Sequence, residues 1–275
     1  MGIFQRIGRG WQLAMASWGI IDRNKSLLIF PLLSGLSLLF MMGSFFIGTS
    51  VLGGGLEGAD QSGHGMGYLF LFILYFINST VIIFFNMALI HSTFKILKGE
   101  TATVSDGIDF SLSKLNLVLS WALVSATIGL ILKIMEDKHA VLTNIIIGIF
   151  GMLWSLATFL VVPVMVYENL GVSEAIKRST SLFKSTWGER VGAGFSFGAI
   201  GFILFCVIGI WLGYLIIPLN FFAFIIALVF TGSMIGCLIS TVQTVFLAAV
   251  YQYAAGIPVE GINKIELGGI FTAKP

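Results

Sequence analysis

Histidine and cysteine are the side chains in this chain best suited to catalysis or metal binding. His64, His91 and His139 are scattered along the sequence, and Cys206 and Cys237 both lie within long apolar segments. Two cysteines without clustered histidines do not supply a metal site. The sequence also contains no phosphate-binding glycine loop, no H-E-x-x-H and no C-x-x-C motif. We therefore expect no metal, no cofactor and no enzymatic activity.

Basic residues combined with tryptophan form the second group that could bind a ligand. At 100° per residue, Val172, Ile176, Phe183 and Trp187 lie on one stripe of a helix, with basic residues opposite. This pattern is typical of a helix lying in the membrane interface, where cations attract anionic lipid head groups. The candidate lipid- or interface-binding residues are Arg6, Arg9, Trp11, Trp18, Lys177, Arg178, Lys184 and Trp187. The alternative is that these cations only set the membrane topology.

Uncharged polar side chains lie deep within apolar segments. Asn78 and Asn86 are eight residues apart and share roughly one helical face, and Gln243 lies in the last apolar segment. They either line a permeation cavity or form hydrogen bonds between helices, which average about 0.6 kcal/mol in membranes. No charged residue lies near the centre of an apolar segment, which argues against a proton-coupled pump.

The composition indicates that these residues are positioned by membrane helices. Of 275 residues, 57% are hydrophobic and 10% are charged, and the mean hydropathy is +1.00. A soluble domain is about 25% charged, so a soluble enzyme, a disulfide scaffold and a disordered tail are excluded. The net charge of +2 gives no indication of nucleic-acid binding.

Six segments meet the length of about 20 apolar residues that a membrane helix needs. They are residues 27–52, 68–90, 115–134, 141–166, 191–217 and 221–250. We expect an all-α polytopic membrane protein, with residues 1–275 forming a single transmembrane domain and amphipathic interfacial helices before the first, third and fifth spans.

The distribution of positive charge predicts the orientation of these spans. Thirteen of the fifteen Lys and Arg residues fall on one side of a six-span arrangement, and only Lys133 and Lys138 fall on the other. Cytoplasmic loops carry the excess of Lys and Arg. Both termini are therefore expected to be cytoplasmic.

Short matches along the chain indicate an internal repeat. The run Val104–Ile108 matches Val172–Ile176 at an offset of 68 positions, and Glu260–Ile262 has the same acidic–small–Ile order. A second match, at an offset of 169 positions, relates Ile7, Arg9, Leu13 and Trp18 to Ile176, Arg178, Leu182 and Trp187. These matches predict three units, each a cytoplasmic helix followed by a transmembrane hairpin.

The stretch Pro163–Ser179, continuing to Leu182 and Trp187, resembles a signature of uncharacterised prokaryotic six-span membrane proteins. It also resembles the membrane domain attached to some glycerophosphoryl diester phosphodiesterases. The resemblance implies a six-helix architecture in a prokaryotic inner membrane. It implies no chemistry, because the phosphodiesterase active site belongs to a separate soluble barrel. Pro163, Glu168 and Gly171 are expected to be structural, and Glu168 either pairs with a neighbouring cation such as Arg178 or helps to bind a ligand.

The function expected from the sequence is non-catalytic, at the cytoplasmic leaflet, through binding of membrane lipids, including anionic lipids, or of a protein partner. The alternative is a channel or carrier for a small or amphipathic solute. A membrane-embedded enzyme would require Glu168 and His91 in one cavity. A homo-oligomer and a cytoplasmic protein partner are both left open.

Overall fold

The computed structural model describes residues 17–51, 64–136, 141–187, 195–217 and 220–257, and every regular element among them is helical. In chain order these elements are α1 (Ser17–Arg23), a 3₁₀ turn (Lys25–Leu28), α2 (Ile29–Val51), α3 (His64–Leu97), α4 (Val104–Ser113), α5 (Leu115–Glu136), α6 (Val141–Thr158), α7 (Val161–Glu168), α8 (Val172–Trp187), α9 (Phe195–Ile216) and α10 (Phe221–Ala254).

Several of these helices could cross a membrane by length and composition. Four sections qualify: Leu71–Leu97, Leu115–Met135, Ile147–Glu168 and Phe221–Gln252. A fifth qualifies if α1 and the following helix are one bent span, whereas the apolar section Gly201–Ile216 of α9 is shorter. The all-helical fold is therefore confirmed for the described residues, with four or five helices that could cross a membrane. The count of six spans stays a prediction.

The helix surfaces agree with a hydrocarbon environment. Large apolar side chains are widely exposed, and those of Phe40, Phe222 and Tyr214 are each about four-fifths accessible. A soluble protein rarely exposes apolar surface on this scale. In a bilayer the same side chains contact lipid without cost.

The first predicted span begins with an elbow. The helical section Ser17–Arg23 is bent by 102° from Lys25–Met41. Asn24 lies at the bend and donates a side-chain hydrogen bond from Nδ2 to the carbonyl oxygen of Ile20 at 3.0 Å. A helical section therefore precedes the bend, whereas most residues of the predicted amphipathic helix lie before Ser17, outside the described residues. Whether it lies in the membrane interface stays a prediction.

The fourth predicted span is broken at Phe159–Leu160, between α6 and α7. Pro163 has no amide hydrogen to donate to the carbonyl of residue 159, so the α-helical ladder is interrupted there. The amide of Phe159 instead bonds the carbonyl of Leu156, three residues back, at 3.4 Å. The helix is thus interrupted four residues before Pro163.

Three helices, α3, α7 and α10, are each followed within two residues by a residue with a left-handed backbone conformation. Gly99 follows α3 with φ 80°, Asn169 follows α7 with φ 54°, and Gly256 follows α10 with φ 71°. Residues with positive φ commonly end helices because they turn the chain and satisfy the last carbonyls. These are the only positive-φ residues in the described ranges, and the acidic–small–Ile triplets follow each of them in the sequence.

The chain forms two compact units. One contains the residues up to Leu32, Ser92–Val104 and the residues from Lys184 onward; the other contains Leu33–His91 and Ser105–Phe183. In the first, the buried side chains include Ile21, Phe30 and Tyr251, and in the second they include Met87 and Leu160.

In the first unit, α9 and α10 form a hairpin whose glycines allow close packing. A Cβ atom on Gly201 would collide with Ile239, and one on Gly232 would lie 3.0 Å from Phe205 Cε2. Gly209 lies against Leu228 in the same way. The small residues of these spans therefore serve packing within the hairpin at these positions. Gly236 has open space at its Cβ position.

The two helices matched by the repeat, α4 and α8, begin at the matched residues Val104 and Val172. They also bury small residues at matched positions, Gly107 and Ser111 in α4 and Ala175 and Ser179 in α8. The other matches, at Ile7, Arg9, Leu13 and residues 259–262, lie outside the described residues. The threefold repeat stays a prediction.

Candidate functional site

The candidate site is built on α8, whose buried face includes two small side chains and one leucine. Ala175, Ser179 and Leu182 are buried and lie at positions i, i+4 and i+7 of the helix. The predicted apolar stripe through Ile176 and Phe183 is only half-buried. The packed face is therefore rotated away from that stripe, because small residues allow the helix to approach its neighbours closely.

Ser179 attaches α8 to the break in the fourth span. The backbone N–H of Leu160 donates a hydrogen bond to Ser179 Oγ at 3.0 Å, and both residues are fully buried. The break deprives Leu160 of its partner, since Phe159 already occupies the carbonyl of Leu156. The serine thus satisfies a buried donor that would otherwise be unpaired.

An ion pair closes the turn between α7 and α8. Arg178 Nε lies 2.9 Å from Glu168 Oε1 and 3.2 Å from Oε2. The side chains are 41% and 23% exposed, respectively. Of the two roles considered for Glu168, the structure places it against a neighbouring cation. Arg178, which the sequence also suggested for lipid binding, is engaged within the protein.

Asn169 turns the chain between these two helices. It adopts the left-handed conformation that ends α7. Gly171, which we expected to be structural, has no positive φ, and an added Cβ would meet only Glu174 Oε2 at 3.8 Å. Its carbonyl accepts the amide of Ala175 at 2.8 Å, which any residue can do. Sequence reasoning missed Asn169, although asparagine directly after a helix is a signal for such a turn.

The outward face of α8 carries two lysines. Lys177, Ser181 and Lys184 are exposed and lie at positions i, i+4 and i+7, so they share one face. Neither lysine forms an ion pair with any residue in the described part of the chain. The half-buried side chains of Ile176 and Phe183 lie beside this face. We call Lys177, Ser181 and Lys184 the lysine face.

The matched helix α4 is also attached through a buried serine, but it exposes an acidic residue where α8 exposes a lysine. Ser111 Oγ donates to the carbonyl of Phe84 at 3.0 Å, and the ring of Phe110 stacks on His91 at 4.0 Å. Asp109 is exposed at the position matching Lys177 and accepts a hydrogen bond from Ser105 Oγ at 3.2 Å. The two helices therefore combine a similar attachment with opposite surface charge.

The other predicted site residues are dispersed. Trp18 is 43% exposed on α1. Arg6, Arg9, Trp11 and the side chain of Trp187 lie outside the described residues. His91 stacks on the ring of Phe110, whereas Glu168 forms an ion pair with Arg178.

The three polar residues proposed for a cavity divide between the two units. Asn78 and Asn86 are half-buried on α3, and no hydrogen bond to either amide is found among the described residues. Gln243 is exposed on α10, in the other unit. No group of three potential metal ligands occurs in the described residues.

A groove of about 710 Å³ runs along the α9–α10 hairpin, lined by residues that include Phe205, Gly209, Gly213, Tyr214 and Phe224. Its lining is apolar except for the hydroxyl of Tyr214 and the thiol of Cys206. Nothing in this lining resembles a catalytic site.

Comparison with known proteins gives one match. Residues 65–260 match the model of a family described as a family of unknown function (DUF6159), which is more than half of the chain. No curated protein and no solved structure matches. The resemblance to the membrane domain of glycerophosphoryl diester phosphodiesterases receives no support from these comparisons.

Proposed function

The chain belongs to DUF6159, a family of unknown function, and from that premise we propose that it binds anionic lipid head groups at the cytoplasmic leaflet through α8. The proposal includes that the protein is non-catalytic and that it resides in a prokaryotic inner membrane with both termini in the cytoplasm. The observation that carries the proposal is the lysine face, whose two cations have no ion-pair partner among the described residues.

The position of the lysine face suits a lipid. A phospholipid presents a phosphate next to its acyl chains, so its protein site needs cations next to apolar surface. Lys177 and Lys184 supply the cations, and Ile176 and Phe183 supply partly exposed apolar surface beside them. The helix α8 is attached to the rest of the protein through Ser179 and through the Glu168–Arg178 pair. The lysines therefore extend from a fixed helix.

The affinity expected from two cations is modest. Each cation near an anionic membrane surface contributes about 1 kcal/mol. Two of them favour an anionic over a neutral lipid by about 2 kcal/mol, or about 30-fold. Such a preference is measurable as selective retention of anionic lipid on the purified protein.

The test is native mass spectrometry of protein extracted from bilayers that mix phosphatidylglycerol and phosphatidylcholine. Lys177→Gln with Lys184→Gln is expected to lower the amount of retained phosphatidylglycerol. The matched control is Lys25→Gln with Lys114→Gln, which removes two cations outside α8. The proposal fails if both double variants retain lipid like the native chain. It also fails if both lose lipid equally, since the cations would then act only through overall charge.

A channel or carrier for a small or amphipathic solute is the second candidate function. It is favoured by Asn78 and Asn86, whose half-buried amides lack a partner in the described residues. An unpaired amide is costly in hydrocarbon, so water in a permeation cavity would stabilise both. The test is labelling of Asn78→Cys and Asn86→Cys, in a chain with Cys206→Ala and Cys237→Ala, by a membrane-impermeant thiol reagent. Labelling of both positions would favour transport, whereas labelling of neither would remove this candidate.

A further inference from the structure

The last turns of α10 contrast with its beginning. Phe222, Ile226 and Phe230 near its start are largely exposed, whereas Val245, Tyr251 and other residues near its end are fully buried. The ring of Tyr251 lies 5.7 Å from that of Phe94, near the end of α3. The end of α10 therefore lies in the core of its unit.

Two polar side chains in this unit lack partners. Gln252 is completely buried, and neither Nε2 nor Oε1 has a hydrogen-bond partner within the protein. The hydroxyl of Ser92, which is 1% exposed, also has none. These are the only such atoms among the described residues. An amide can donate two hydrogen bonds and accept two, so Gln252 leaves most of its capacity unused.

Leaving such groups unpaired in a core costs about 1–3 kcal/mol for each donor or acceptor. Buried polar groups in folded proteins are almost always paired, and where no protein atom is available an internal water is the usual partner. An internal water commonly makes about three hydrogen bonds. Gln252 offers both donors and an acceptor for it.

The surroundings define the ligand further. The buried polar residues of this unit are Ser17, Ser92, Thr93, Thr241, Thr244 and Gln252, so the described core contains no buried charge. An ion would have no fully buried countercharge among the described residues and would be expensive to bury. Thr241 and Thr244 already donate their hydroxyl hydrogens to carbonyls of α10, at 2.8 Å each. Complete burial restricts the ligand to a very small one.

We propose that Gln252 forms an internal hydration site in the core of this unit, and that its ligand is water, a small uncharged molecule that both donates and accepts hydrogen bonds. Ser92 contributes a second polar group in the same core. The site is separate from the lysine face, and the proposal does not depend on lipid binding.

The test is X-ray hydroxyl-radical footprinting of the full chain in nanodiscs. Radicals that form from a bound water label the side chains beside it, even where bulk solvent has no access. We expect Tyr251 and Phe94 to be labelled well above Phe30, an aromatic side chain that is 1% exposed in the same unit. Gln252→Met keeps the shape of the side chain without its amide and should abolish this excess labelling.

Gln243→Met is the matched control, because Gln243 is an exposed glutamine on the same helix. It should leave the labelling of Tyr251 unchanged. Labelling of Tyr251 at the level of Phe30 in the native chain would overturn the proposal, and so would labelling that persists in Gln252→Met. Should that variant fail to fold, Gln252→Leu is measured in its place, and excess labelling that persists there has the same consequence.

Discussion

Glu168 and Arg178 show how side chains that sequence reasoning selected for chemistry can be structural. Arg178 is part of a basic segment, but its Nε atom is directed to both oxygens of Glu168. The lysines of the same helix have no ion-pair partner among the described residues. A count of cations therefore overstates the number available to a ligand.

Breaking this pair is expected to destabilise the protein moderately. Because both side chains are partly exposed, Glu168→Gln should cost about 1 kcal/mol, or about 2–4 °C in Tm. Thermal unfolding followed by size-exclusion chromatography measures this change. A variant in which the two residues are exchanged, Glu168→Arg with Arg178→Glu, should recover part of the loss. No recovery would show that the pair itself is not the stabilising element.

Substitutions at Asn169 and Gly171 are expected to differ in their effect on stability, because only Asn169 has a left-handed backbone. Asn169→Val places a β-branched residue at φ 54° and should destabilise the protein by about 1–2 kcal/mol. Asn169→Gly should preserve its stability. Gly171→Ala should change Tm little, because an added Cβ meets no atom closer than 3.8 Å. A larger loss for Gly171→Ala than for Asn169→Val would contradict this account.

At the scale of helices, sequence patterns located most elements and misjudged two details. The predicted second span stopped at residue 90, whereas α3 continues to Leu97. The apolar run in the sequence ends at the polar side chains of His91, Ser92 and Lys95. A helix that leaves the membrane can continue through such residues. Periodicity also identified the larger apolar side chains of α8 but did not reveal its packed face, since it cannot detect packing through small residues such as Ala175 and Ser179.

The serine that attaches α8 should matter more than its counterpart in α4. Ser179→Ala leaves the buried N–H of Leu160 without an acceptor, at a cost of about 1–3 kcal/mol. Ser111→Ala removes a donor to the carbonyl of Phe84, which lies within α3 and belongs to the helical hydrogen-bond ladder. We expect the smaller Tm loss for Ser111→Ala. Equal losses would mean that the unpaired N–H is not the cause.

For the whole molecule, composition predicted a helical membrane protein, and the structure confirms several apolar helices of sufficient length. The number of spans differs between the two because the prediction counted apolar residues, whereas the structure shows where the helices bend and end. The section Lys25–Met41 counts as a span only together with the helix before the bend at Asn24, and the apolar section Gly201–Ile216 is shorter than the predicted fifth span.

The orientation is testable by thiol labelling of intact cells in a chain without its native cysteines. The charge distribution predicts that Lys177→Cys and Lys98→Cys are protected from an impermeant reagent, whereas Lys138→Cys and Asn220→Cys are labelled. Labelling of the first pair and protection of the second would reverse the topology. Labelling of Lys138→Cys but not Asn220→Cys would show that α9 and α10 do not form a membrane-crossing hairpin.

The contrast between α4 and α8 has a consequence for protein engineering. The residues that attach each helix, including Ser111 and Ser179, are buried, whereas Asp109 and Lys177 are exposed at matched positions. The exposed residues can therefore be exchanged without disturbing the attachment. Introducing lysine at position 109 would add an exposed cation to α4, and introducing aspartate at position 177 would remove one of the two cations of the lysine face. Under the proposed lipid binding, the first exchange would give the chain a second helix with affinity for anionic lipid, and the second exchange would weaken the affinity of α8.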